Sequence, residues 1–151
     1  MPAVCCSSEL IAIFQAGGAR RIRLFMILMA VLCFRCRNTC AMTFHTLGLL
    51  QSHLDRAGRE GQIVVVSYGP KNDTPPAWTA FRRRRNPHRL NWHFLSGDPQ
   101  TTRRLAKALG LGDFWSADRH VVHDFRIALL DGDGRISRTL GWNDSPDAVL
   151  P

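Results

Sequence analysis

Val31-Leu32-Cys33-Phe34-Arg35-Cys36-Arg37-Asn38-Thr39-Cys40-Ala41-Met42 decides the fold, because here an apolar run ends, two cysteines follow in a loop, and a helical pattern begins. A short continuous apolar run bounded by polar residues is the pattern of a strand buried on both faces, and Val31 to Phe34 is read as its core. Cys40 is then expected at the N-terminus of the next helix. That end of a helix carries partial positive charge and favours a thiolate, the form of cysteine that attacks and that binds metals. Arg35 and Arg37 add positive charge in the same direction. With three residues between them, Cys36 and Cys40 can close a small disulfide or point both sulfurs at one soft ion.

Beyond Cys40 the apolar positions Phe44, Leu47, Leu50, Leu54 and Ala57 recur at helical spacing, and Gly58 supplies the stop. Ile63 to Val66 is a β-branched run too short for a helix, hence a second buried strand, expected beside the first and parallel to it. Asp73-Thr74-Pro75 opens another helix, a capping side chain preceding a proline whose missing N–H costs nothing in the first turn. Trp78 and Phe81 form its inner face, and Asn86-Pro87 ends it. Trp92 to Leu95 is a third strand. Asp98-Pro99 repeats the cap-then-proline opening for a helix that carries Leu105, Ala108 and Leu109 and closes at Gly110.

Arg126 to Leu130 and Arg135 to Leu140 flank Asp131-Gly132-Asp133-Gly134, a hairpin signal because Asp and Gly suit turn positions of positive φ. A calcium loop is excluded. The EF-hand pattern needs a third early oxygen ligand and a closing glutamate, and no glutamate follows Glu60. The β-α-β-α alternation therefore implies parallel strands with helices outside and a hairpin at the C-terminal end.

The 151 residues, 45% of them hydrophobic, suit one domain with its own core. Residues 25–151 are expected to form it, with 1–24 a separate segment in which Leu10 to Phe14 and Arg20 to Leu24, divided by Gln15-Ala16-Gly17-Gly18, suggest a hairpin. Arg20, Arg21 and Arg23 precede eleven apolar residues, Leu24 to Phe34, in the manner of a secretion signal. The run falls short of the roughly 20 residues that span a bilayer, and Arg35 and Cys36 follow it instead of a small-residue cleavage site. Five cysteines in a chain of this length do not make a disulfide scaffold, so a reactive or metal-binding pair is the better use of them.

Three anchors stand in order along the chain: Cys36-Arg37-Asn38-Thr39-Cys40; Ser67-Tyr68-Gly69-Pro70-Lys71-Asn72-Asp73-Thr74-Pro75; and Val121-Val122-His123 before Ile127 to Leu130 and Asp133-Gly134. Together they resemble the Sco/SenC proteins, thioredoxin-like copper-handling proteins associated with cytochrome c oxidase assembly. The first matches that family's C-x-x-x-C, the second is similar to its strand-end segment, and the third matches its distal histidine and terminal hairpin. The resemblance runs from about Val31 to Trp142. It departs where the family carries a proline after each cysteine, here Arg37 and Ala41, and where Gly69 replaces a common aspartate.

That resemblance implies a three-layer α/β/α thioredoxin-like fold with a central mixed sheet and a C-terminal hairpin. It implies a copper site of Cys36, Cys40 and His123, a copper-site subunit of cytochrome c oxidase and a thiol reductant as partners, and a place on the periplasmic or outer face of a membrane. The donor chemistry agrees with copper: thiolates select Cu(I), imidazole suits either oxidation state, and two sulfurs with one nitrogen serve both. Asp118 or Asp124 is a candidate to accept the second imidazole N–H. His120 competes as the ligand, and His123 is preferred because its distance to the following strand and turn matches the family. His45, His53, His88 and His93 are read as ordinary surface or boundary residues, and Cys33 as a packed strand side chain.

Two other classes use the same features differently. A thiol-disulfide oxidoreductase would employ Cys36 and Cys40 as nucleophile and resolving thiol. The thioredoxin-type enzymes, however, have C-x-x-C and a cis-proline facing it, whereas Val122-His123-Asp124 holds no proline. A basic nucleic-acid-binding module would rest on the net charge of +8 and on Arg82 to Arg85, Arg89, Arg103 and Arg104. Four consecutive arginines on a helix point around most of its circumference and define no single reading face, so a solvated helix end is preferred.

Overall fold

In the computed structural model the described residues are 27–32, 39–67, 75–85, 90–111, 126–131, 134–141 and 143–148. They form strand β1 (Ile27–Leu32), helix α1 (Thr39–Arg56), β2 (Gln62–Ser67), α2 (Pro75–Arg85), β3 (Trp92–Leu95), α3 (Pro99–Ala108), β4 (Ile127–Leu130), β5 (Ile136–Leu140) and a short 3-10 turn, Pro146–Ala148. One five-stranded sheet runs β3-β2-β1-β4-β5. β1 lies parallel to β2, with Ile27 opposite Gln62 and Leu32 opposite Ser67, and β2 lies parallel to β3. β4 enters on the other side of β1, antiparallel, with Ala30 opposite Ile127 and Ile27 opposite Leu130.

Alternation along these strands makes two cores. Leu28, Ala30, Ile63, Val65, Trp92, Ile127 and Leu129 face one side, where Leu47, Leu50 and Leu54 of α1 cover them, with Phe44 of α1 and Phe81 of α2 packed at the margin. Ile27, Met29, Val31, Val64, Val66, Ala128 and Leu130 face the other, covered by Leu105 and Ala106 of α3 and by Leu109. These are the three layers expected, with α1 and α2 on one face and α3 on the other. The first face is aromatic: Phe44 meets Phe81 edge-on at 4.9 Å between centroids and stacks on Phe94 at 6.0 Å.

Helices α1 and α3 end alike. Arg59 N–H donates to Leu54 O at 3.0 Å and Gly58 N–H to Asp55 O at 3.2 Å, while Leu111 N–H donates to Ala106 O at 2.8 Å and Gly110 N–H to Lys107 O at 3.0 Å. This paired pattern closes a helix through a left-handed residue, and Gly58 (φ 62) and Gly110 (φ 75) supply it. At the opening of α3 the Asp98 carboxylate accepts from Thr101 N–H at 2.9 Å. Hydrogen bonding from Thr101, its side chain first and then its backbone, holds that carboxyl below its ordinary value of 3.8.

Several expectations are corrected. The first strand is Ile27–Leu32, so its centre lies earlier than Val31 to Phe34, and Cys33 and Phe34 fall outside the described residues. The reason is pairing: β1 is held on both edges by the six residues of β2 and the four of β4, whereas the apolar run offers no internal punctuation. Ala57 lies beyond the end of α1 and is exposed, not part of its inner face. The terminal hairpin is irregular as well. Leu129 pairs with Arg138 but Leu130 with Ile136, and the Ser137 hydroxyl donates to Leu129 O at 3.1 Å. This extra residue moves Ile136 and Leu140, four apart, onto opposite faces of the sheet. The proposed hairpin within 1–24 and the side chain of Trp78 lie outside the described residues.

Candidate metal centre

α1 begins at Thr39, which puts Cys40 in its first turn, and that turn contains no acidic residue. The positive end of the helix dipole is therefore uncompensated by a carboxylate of its own turn, the setting that favours a thiolate. Cys36, His120, His123, Asp118 and Asp124 lie outside the described residues, as does the Cys40 side chain. What is described is the frame from which they are hung. β1, β2 and β3 are parallel, so Leu32, Ser67 and Leu95 end at one edge of the sheet. β4 runs the opposite way and begins at that same edge, Ile127 opposite Ala30. Cys36 follows Leu32 by four residues and His123 precedes Ile127 by four, on adjacent strands.

Near that edge the described polar groups include two buried hydroxyls and one cation. Thr43, in the second turn of α1, and Ser67, at the end of β2, are buried. Arg126, at the entry to β4, is half-buried. Its Nε has no hydrogen-bond partner among the described residues, and its Nη1 lies 3.0 Å from where a Cβ on Gly110 would stand. The positive φ calls for glycine here, and a β-carbon would in addition crowd the guanidinium.

The other imidazoles have separate occupations. His93 Nε2 is 2.7 Å from Gln62 Oε1, and His53 Nδ1 is 3.3 Å from Asp147 Oδ1, whereas His45 is exposed on α1. His88 lies outside the described residues. Among the described residues no group of three or more His, Cys, Asp or Glu comes together to hold a metal, and no helix is long and apolar enough to cross a membrane.

A family model described as SCO1/SenC matches residues 26–151. The chain belongs to the SCO1/SenC family. Solved structures agree on the fold. A SCO1/SenC family lipoprotein from Bacillus anthracis superposes with a TM-score of 0.76 at 18% identity, covering 84% of this chain and 78% of that one. The ScoI protein of Arabidopsis thaliana, solved with copper bound, gives 0.70 at 17% identity, covering 83% and 78%. BsSco, described as a member of the Sco family of cytochrome c oxidase assembly proteins and as having a disulfide switch, gives 0.69 at 21% identity, covering 83% and 75%. No curated protein sequence matches the chain. The mixed sheet with its antiparallel C-terminal hairpin is thus a thioredoxin-like arrangement of the SCO1/SenC kind.

Proposed function

We propose that this SCO1/SenC protein binds copper through Cys36, Cys40 and His123 and serves the assembly of the copper sites of cytochrome c oxidase. The observation that carries the reading is the antiparallel entry of β4 beside β1. It tethers the histidine segment and the cysteine loop to neighbouring strands at one edge, each by four residues, a reach of up to about 14 Å. Copper fits the donors. Two thiolates supply affinity for soft Cu(I), and a neutral imidazole sets geometry and accommodates Cu(II). Copper-bound relatives of the same fold support the choice of metal. A copper-site subunit of the oxidase is the proposed recipient, a thiol reductant the proposed supplier of the reduced pair, and the periplasmic or membrane face the proposed location, in line with the lipoprotein relative.

Anaerobic titration against competing chelators tests this. His123→Ala weakens Cu(II) binding more than Cu(I) binding, and Cys36→Ala damages both. If His120→Ala reproduces the loss while His123→Ala does not, the ligand assignment is wrong. Protein oxidised to the Cys36–Cys40 disulfide takes no Cu(I) until reduced; equal uptake by oxidised and reduced samples refutes the role of the pair.

A second reading, thiol-disulfide exchange by the same cysteines, is favoured by the disulfide switch of BsSco. If no copper-site variant differs from wild type while the reduced protein turns over a disulfide substrate, and Cys36→Ala abolishes that turnover, this reading replaces the first.

A further inference from the structure

Between Thr39 and Leu54 helix α1 carries no carboxylate, yet it exposes two metal-binding groups three residues apart, Met42 and His45. Residues at that spacing are neighbours on the helix surface, about 5–6 Å between Cβ atoms. Met42 is 48% exposed, and His45 is exposed beside it. The face of α1 that meets the sheet is made by Leu47, Leu50 and Leu54, so neither side chain belongs to the core.

We propose that Met42 and His45 form a surface entry site for Cu(I), from which the ion passes to the cysteine pair. The proposal rests on the copper reading above. A thioether and a neutral imidazole are donors that Cu(I) accepts, and a thioether is a poor ligand for Mg²⁺ or Ca²⁺. With no carboxylate in the first four turns of the helix, the position offers hard cations little. Direction matters too. Side chains on an α-helix tilt toward its N-terminus, so Met42 and His45 lean toward the turn that holds Cys40. Two neutral donors bind more weakly than two thiolates, and the gradient favours onward transfer. The transfer is a ligand exchange at constant oxidation state: bonds from copper to the Met42 sulfur and the His45 nitrogen break as bonds to cysteine sulfur form, and any thiol proton released goes to water.

Stopped-flow loading of the reduced, intact protein from a Cu(I)-chelator complex tests the proposal, with Met42→Leu, His45→Gln and the double variant. Loading slows severalfold in the double variant while the equilibrium Cu(I) affinity stays at the wild-type value. An unchanged loading rate overturns the entry site. A second measurement uses Ag(I) as a redox-inert probe with Cys36→Ser/Cys40→Ser protein, following the Met42 methyl resonance and the His45 imidazole. Both shift on adding Ag(I), and the His45 response is lost in Met42→Leu; resonances that do not move overturn the proposal. If Cys36→Ser/Cys40→Ser protein binds Cu(I) as tightly as wild type, the cysteine reading has failed, and the Met42 resonance still reports on the surface pair separately.

Discussion

The two ends of α1 are built on opposite plans. At its C-terminal end the Gln51 side chain is buried, and its Oε1 accepts from Asn91 Nδ2 at 2.7 Å and from Trp92 Nε1 at 3.0 Å. Its Nε2 donates to Asp55 at 2.8 Å, and Asn91 also donates to Gly61 O. Gln51 thereby ties the helix to the start of β3, and Asn91 carries the link on to the turn before β2. The N-terminal end holds Cys40 in a turn without carboxylates and exposes Met42 and His45 just beyond. Fixation and the proposed reactivity are thus separated along a single helix: hydrogen bonds set its position at the base of the sheet, and the sulfur chemistry proposed above belongs to the other end.

That separation can be broken by experiment. The largest effect is expected at the reactive end, where Cys36→Ser or Cys40→Ser lowers Cu(I) affinity by more than the roughly 10–100-fold typical of a change outside the ligand set. The urea midpoint of the metal-free protein stays within the error of measurement; a variant that unfolds would mean that the loop also holds the fold. At the fixed end, Gln51→Leu leaves the Trp92 and Asn91 donors without their acceptor and costs about 2–3 kcal/mol in urea unfolding. Its copper affinity equals wild type. A parallel fall in affinity would show that the two ends are coupled.

Gly110→Ala sharpens the comparison on the opposite face of the sheet. A β-carbon at φ 75, 3.0 Å from the Arg126 guanidinium, costs about 1–2 kcal/mol, read from the same unfolding curves. The smallest effect is that of Asp98→Ala, which lowers the melting temperature slightly at neutral pH. Because the folded-state pKa of Asp98 is depressed, its contribution is fully present above the ordinary carboxylate value and disappears as pH falls through the lowered one. The melting difference between wild type and Asp98→Ala therefore closes only at strongly acid pH; a difference that persists there would refute the assignment to the ionised cap.

Much of the fold was legible because punctuation and periodicity agreed. Asp98-Pro99 and Gly110 bracket α3, Pro75 opens α2, and Trp92 to Leu95 is β3. β1 was misplaced because eleven apolar residues contain no breaker, and only its pairing with β2 and β4 sets its ends. The irregularity at Ser137 left no mark, since a serine among alternating residues looks like an ordinary solvent-facing position. Gln51 did leave one: it lies four residues after Leu47 and three before Leu54, on the buried side of the helix, where a polar residue must have partners. Of the candidate site, the sequence pattern supplies the proposed donors and the first-turn position of Cys40, and the start of α1 at Thr39 agrees with the latter. Their proposed convergence rests on β4 joining β1, a pairing between segments far apart in the chain that no local pattern encodes.

That same pairing has a kinetic side. Ile27 to Val31 is buried and apolar on both faces, and one edge of this strand is covered only when residues around 127–130 arrive. Contacts of such sequence separation close slowly, because chain entropy is lost before they form. The β4–β5 hairpin is a local pairing expected to assemble quickly, and its docking onto β1 is expected to be the later step. Until then the folding chain displays an uncovered, wholly apolar strand edge, the feature most prone to pair with another molecule. The strand that organises the finished sheet is, during synthesis, the segment most in need of protection from its neighbours.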